Sequence, residues 1–226
     1  MKTLVIAAHP DDEVLGCGGT AARLARAGGE VHLAIFGEGV TSRHARREQA
    51  DPQALAALRA CAEAAAKLLG ARDLTLFDLP DNRFDTVPLL DVVKRVEGLV
   101  GQVAPEEVYT HHAGDLNVDH VVLNRAVLTA TRPMAGCPVK RVYAFEVASS
   151  TEWAFQHLRP AFRPNVFVDI AATLTAKVEA MACYESEARA FPHPRSPEAL
   201  RAIARRWGSA VGLEAAEAFE LVRSIQ

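Results

Sequence analysis

His9-Pro10-Asp11-Asp12-Glu13 gathers an imidazole and three carboxylates directly after the apolar run Leu4-Val5-Ile6-Ala7-Ala8. Imidazole and carboxylate are ligands of catalytic zinc, which takes three protein groups and keeps a fourth position open for water or substrate. His9 and Asp12 would supply two of the three. The same donors also accept iron(II) or cobalt(II). The third ligand is expected in Thr110-His111-His112-Ala113-Gly114-Asp115-Leu116-Asn117-Val118-Asp119-His120, where histidines and carboxylates crowd together again behind a strand-like stretch. Loops leaving the carboxyl ends of strands in an open α/β sheet converge on one crevice, so about a hundred intervening residues are no obstacle.

Together the two segments resemble the zinc-dependent N-deacetylases of the PIG-L/LmbE family. The family's first motif reads Ala-His-Pro-Asp-Asp-Glu and its second ends in Asp-His, matched here by Ala8 to Glu13 and by Asp119-His120. The resemblance implies His9, Asp12 and His120 as metal ligands, Asp11 as general base, and hydrolysis of an acetyl amide. Neighbouring carboxylates diverge, which suits Asp12 to the metal and Asp11 to the water that a metal acidifies. Asp115 and Asp119 are expected to orient histidines rather than bind metal. Pro80-Asp81-Asn82-Arg83-Phe84-Asp85, Ser149-Ser150-Thr151-Glu152-Trp153 and Pro192-His193-Pro194-Arg195-Ser196 resemble features of one sugar-directed branch. The resemblance therefore implies an N-acetylated amino sugar of the N-acetylglucosamine type as substrate, and a homo-oligomeric assembly.

One position departs from the family pattern. Many relatives carry His-Pro-Asp-His in the second motif, and its first histidine helps to polarise the carbonyl; this chain has Asn117 there. That role falls to His111 or His112, to Asn117 as a neutral donor, or to His193 from a distant loop, and the sequence does not select among them. For the substrate, Arg43, Asp81, Asn82, Arg83, Glu146, Trp153 and Arg195 are expected on the rim of the site, in loops after strands or at strand ends. Polar groups and an indole face suit a sugar, while Arg43, Arg83 and Arg195 can grip an anion such as a phosphate or nucleotide. The competing expectation is that these arginines simply pair with nearby carboxylates.

Two other readings accompany this one. The same metal chemistry would serve an amidase of thiol conjugates. A different class, a nucleotide-binding module, is suggested by Gly16-x-Gly18-x-x-Ala21 with Glu38 after the next strand. That fingerprint should follow its strand directly, whereas the whole acidic cluster intervenes. Each glycine inside a helix costs about 1 kcal/mol relative to alanine, so a small residue must be required there. Acidic residues at 11–13 also have a plain structural use, capping a helix N-terminus.

The elements that must carry these groups are legible from periodicity. Strand-like runs recur at 3–8, 31–36, 74–79, 107–111, 140–147 and 165–170, with helical patterns between most of them. Asp51-Pro52 opens a helix over 53–69 that Gly70 stops, and Pro88 opens another over 89–103. Helices are further expected at 173–190 and 214–225. Strands alternating with helices predict a doubly wound, mainly parallel α/β sheet of the Rossmann-like kind. At 226 residues and 50% hydrophobic, one domain over 1–226 is expected. A net charge of −3 offers no general attraction to nucleic acid or an anionic membrane. The four scattered cysteines and the short apolar start point to a reduced, cytoplasmic protein.

Overall fold

In the computed structural model, which describes residues 1–226, strands and helices alternate through the first two thirds of the chain. They are β1 (Lys2–Ala7), α1 (Asp12–Arg26), β2 (Glu30–Gly37), α2 (Pro52–Leu69), β3 (Asp73–Leu79), α3 (Leu89–Val103), β4 (Glu107–His111), α4 (Val118–Ala130) and β5 (Arg141–Phe145). After them come β6 (Val166–Asp169), α5 (Leu174–Ala182), α6 (Pro197–Ala210) and β7 (Ala216–Ser224). The strands form one sheet in the order β3-β2-β1-β4-β5-β7-β6. The first five run parallel, and β7 lies antiparallel between β5 and β6.

The local reasons are those the residue types supply. Asp51 accepts from the Gln53 N–H, Pro52 takes the first turn and Gly70 closes α2 at φ 72°. In β1, Val5 and Ala7 pack under α1, α2, α5 and α6, while Leu4 and Ile6 face α3 and α4. A strand covered on both faces must be apolar throughout, as this one is.

Helix α1 is broken. Cys17 has φ −147°, and the glycines around it let the helix sit hard against its neighbours. A Cβ on Gly16 would lie 2.3 Å from the Phe145 ring, and one on Gly19 would lie 2.8 Å from Ile170. These glycines therefore serve packing. The break leaves backbone groups that a buried ion pair satisfies: Glu217 accepts from the N–H groups of Gly19 (2.9 Å) and Thr20 (2.7 Å). Lys177 donates to the Leu15 carbonyl (2.8 Å) and to Glu217 (2.6 Å).

Three expectations are corrected. The segment expected as a helix over 214–225 is the strand β7, because its alanines and Phe219 are buried between β5 and β6 and pairing outweighs helical propensity. The helix expected over 173–190 ends at Ala182, and the chain then runs irregularly towards the sheet's carboxyl edge. Helix α6 lies in a stretch where none was expected, although Ser196 caps it and Pro197 begins it. No helix is long and apolar enough to cross a membrane.

Candidate metal centre and active site

Strands β1 and β4 are neighbours where the strand order reverses, the point at which an open α/β sheet leaves a crevice beyond its strand ends. His9 and Asp12 arrive there from β1, and His120 from the first turn of α4. His9 Nδ1 and His120 Nε2 each lie 3.1 Å from Asp12 Oδ2, and the two nitrogens lie 3.3 Å apart. The outer faces of both rings are turned to carboxylates. His9 Nε2 is 2.9 Å from Asp119 Oδ2, and His120 Nδ1 is 3.0 Å from Asp115 Oδ1. With its proton on that outer nitrogen, each neutral ring has one lone pair, and both lone pairs then point with a carboxylate oxygen at one spot. Three converging acceptors with no proton among them fit a divalent cation.

The same carboxylates attract positive charge of either kind. Burial disfavours a charged His120, yet Asp12 and Asp115 on either side draw it up to about 9, so a metal at this spot must displace a proton. Burial alone would raise Asp115, but His120, Ser150 and Thr151 hold its carboxyl down at about 2. Asp81 also approaches His9 Nε2, at 3.4 Å. A neutral imidazole cannot coordinate through both nitrogens, so Asp81 and Asp119 act on His9 as orienting acceptors.

Asp11 stands at φ 111°, a left-handed conformation costing a non-glycine residue about 1–3 kcal/mol. Its backbone N–H donates to Glu13, which burial pushes up to about 7 and which accepts from the Tyr184 hydroxyl at 2.6 Å. Its carboxylate lines a cavity of about 220 Å³ together with His9, Ser42, Arg43, Asp81, Asn82, Asn117, Glu187 and Arg195. Arg195 Nη1 donates to Asp11 Oδ2 at 2.6 Å.

The expected site residues divide by position. His9, Asp11, Asp12, Arg43, Asp81, Asn82, Asn117, His120 and Arg195 surround this centre or its cavity. Arg83 is exposed, and Trp153 stands edge-on to His193 with ring centres 5.7 Å apart. His193 accepts from the Arg195 N–H, so the late loop does arrive but presents Arg195 to the cavity instead of the imidazole. His112 is turned away: Glu220 and the Pro160 carbonyl occupy both its nitrogens. Glu146 bonds the Trp207 indole N–H and lines a separate cavity of about 370 Å³ beneath α6. His111 is fully buried, accepts from the Ala8 N–H at 2.8 Å and stacks on His120 at 3.9 Å. Glu187, Ser42 and Ser149 join the centre without having been anticipated. Ser149 opens the Ser-Ser-Thr-Glu-Trp stretch over 149–153, but nothing local marks Glu187.

The family profile described as PIG-L, GlcNAc-PI de-N-acetylase, matches residues 4–131. The chain belongs to the PIG-L family. This PIG-L chain is 26% identical over 195 residues to the uncharacterized deacetylase YaiS of Escherichia coli K12, covering 81% of this chain and 90% of that protein. It superposes on GalB, the 4-carboxy-2-hydroxymuconate hydratase of Pseudomonas putida KT2440, with a TM-score of 0.78 and 25% identity over 100% of this chain and 98% of that one. The N,N'-diacetylchitobiose deacetylase of Pyrococcus horikoshii has the same fold, with a TM-score of 0.76 and 20% identity over 98% and 84% of the two chains.

Proposed function

We propose that this PIG-L protein is a zinc-dependent N-deacetylase that releases acetate from an N-acetylated amino sugar. The observation that carries the reading is the set of three lone pairs on His9, Asp12 and His120 beside the free face of the Asp11 carboxylate. Bound there, zinc would acidify a water and polarise the amide carbonyl. Asp11 removes the water's proton as the oxygen attacks the carbonyl carbon, then returns it to the departing nitrogen. Asp119 and Asp115 keep the two histidines in the tautomer and orientation that ligation needs.

The cavity's composition supports a sugar and narrows its charge. Ser42, Asp81, Asn82 and Asn117 are hydrogen-bonded to one another along one wall, a surface suited to hydroxyl groups. Arg43 and Arg195 both engage Glu187, and Arg195 also engages Asp11. Their charge is therefore matched by the protein, which favours a neutral sugar in the cavity. Arg83, exposed on the rim, is left for any phosphate or nucleotide carried further out.

The likeness to a hydratase supplies a second reading, in which the activated water adds to a carbon–carbon double bond. A polycarboxylate substrate needs uncompensated cations, and the pairing of both cavity arginines weighs against it. The experiment is to follow free amine release from a panel of N-acetylated sugars, a thiol-conjugate amide and a nucleotide-linked sugar, with Asp11→Asn as control. Turnover of a neutral acetamido sugar is expected, lost by at least about 100-fold in Asp11→Asn. Turnover of the thiol conjugate alone would move the protein to that amidase class, and no amine release from any of them would sink the deacetylase reading.

A further inference from the structure

Hydrolysis of an amide places negative charge on the carbonyl oxygen, and that charge needs a fixed donor beside the attacking water. Most of the donors around the cavity are already used. Asn117 Nδ2 donates to Asn82 Oδ1 at 2.9 Å, and Asn117 Oδ1 caps α4 through the Asp119 N–H. Asn82 donates to Ser42 and Asp81, and the Ser42 hydroxyl donates to Asp81 at 2.6 Å. His111 is buried behind His120, His112 faces Glu220, and His193 does not line the cavity. Arg43 is half exposed, out at the rim.

Arg195 differs from all of these. Nε donates to Ser149 Oγ at 2.8 Å and Nη1 to Asp11 Oδ2 at 2.6 Å, with Glu187 Oε2 at 3.5 Å from Nη1. These contacts fix the guanidinium plane at the edge of the catalytic carboxylate. Nη2 makes no hydrogen bond to the protein, and the side chain, 22% exposed, lines the cavity. We infer that Arg195 is a catalytic residue of the deacetylation, its Nη2–H donating to the developing oxyanion of the tetrahedral intermediate. The inference rests on the deacetylase reading.

The step balances without a further reagent. Water's oxygen bonds to the carbonyl carbon, its proton passes to Asp11, and the carbonyl's π electrons move onto oxygen, where Nη2 donates a hydrogen bond and keeps its proton. The C–N bond then breaks as the oxyanion's electron pair re-forms the C=O and Asp11 returns the proton to nitrogen, giving acetic acid, which ionises to acetate, and a free amine.

The test compares wild type with Arg195→Ala and Arg195→Lys on whichever acetamido sugar the wild type turns over. It also measures binding of that sugar's methylphosphonamide analogue, which mimics the tetrahedral intermediate. In Arg195→Ala, kcat should fall about 10²–10³-fold, as for loss of one oxyanion donor, while KM stays within about threefold. Added guanidinium should restore part of the rate. The analogue should lose affinity by the factor lost in kcat/KM, since it shares the transition state's contacts. Arg195→Lys keeps the cation but not the fork, and its rate should fall between the two. If Arg195→Ala fails to fold, Arg195→Lys carries the same comparison. A kcat within about threefold of wild type, a loss confined to KM, or unchanged analogue affinity would each overturn the assignment. Wild-type turnover is read first: without it the deacetylase reading fails, and this inference falls with it.

Discussion

Asp115 binds nothing in the cavity, yet it holds His120 on one side and is itself held by Ser150, Thr151 and the Asn117 N–H. Histidine and carboxylate also pair away from the candidate metal centre, in His112 with Glu220 at 2.7 Å. Burial opposes a charged His112, but Glu220 and the Pro160 carbonyl raise the ring above its ordinary 6.5. Burial likewise opposes an ionised Glu220, but His112 and the Arg163 N–H bring it below its ordinary 4.5. The His112 contribution is complete below 6.5 and fades as pH rises through the raised value. The Glu220 contribution is complete above 4.5 and fades as pH falls through the lowered one. Wild type should therefore exceed Glu220→Gln in denaturant midpoint by more at pH about 5.5 than at about 8.5, and an equal gap at both would refute the pairing. At this scale the clustering of histidine and carboxylate was legible, because His9 and Asp12 stand close together after β1 and His120 lies in a second such cluster after β4. Arg195 was read as a rim residue, since only the folded loop puts its guanidinium on Asp11, and Glu187 left no local trace at all.

Helix α1 is the element on which the centre depends, because it carries Asp12 at one end and is broken one turn later. Glu217 and Lys177, both buried, repair that break. Glu217→Gln would leave Lys177 without a counter-charge in the interior, and breaking such a pair costs about 3–5 kcal/mol. Equilibrium unfolding in urea measures this; a loss below about 1 kcal/mol would mean that the pair is not holding the helix. Among the elements, β1 to β5 and helices α2 and α3 were readable from period and capping residues. Strand β7 was not, since Ala-Glu-Ala-Phe-Glu-Leu has a helical composition and only insertion between two strands makes it extended. The Ser196-Pro197 start of α6 was a readable signal that went unused.

Over the whole molecule, the reversal of strand order between β1 and β4 turns two distant motifs into one centre, and residues 111 apart in sequence come within 3.3 Å. A cation at that junction joins both halves of the fold, so chelation should lower the melting temperature and re-added zinc should restore it. The stabilisation is about 2.7 kcal/mol when free metal is a hundredfold above its dissociation constant. His120→Ala should abolish the response, and a melting temperature indifferent to chelator in wild type would argue against a bound metal. The repair of α1 also fixes an order of events in time. Gly19 and Glu217 are 198 positions apart, and translation at ~5–20 residues per second separates their appearance by roughly 10–40 s. The nascent chain thus displays the histidines and aspartates of the candidate centre well before the strand arrives that can complete the helix beneath them.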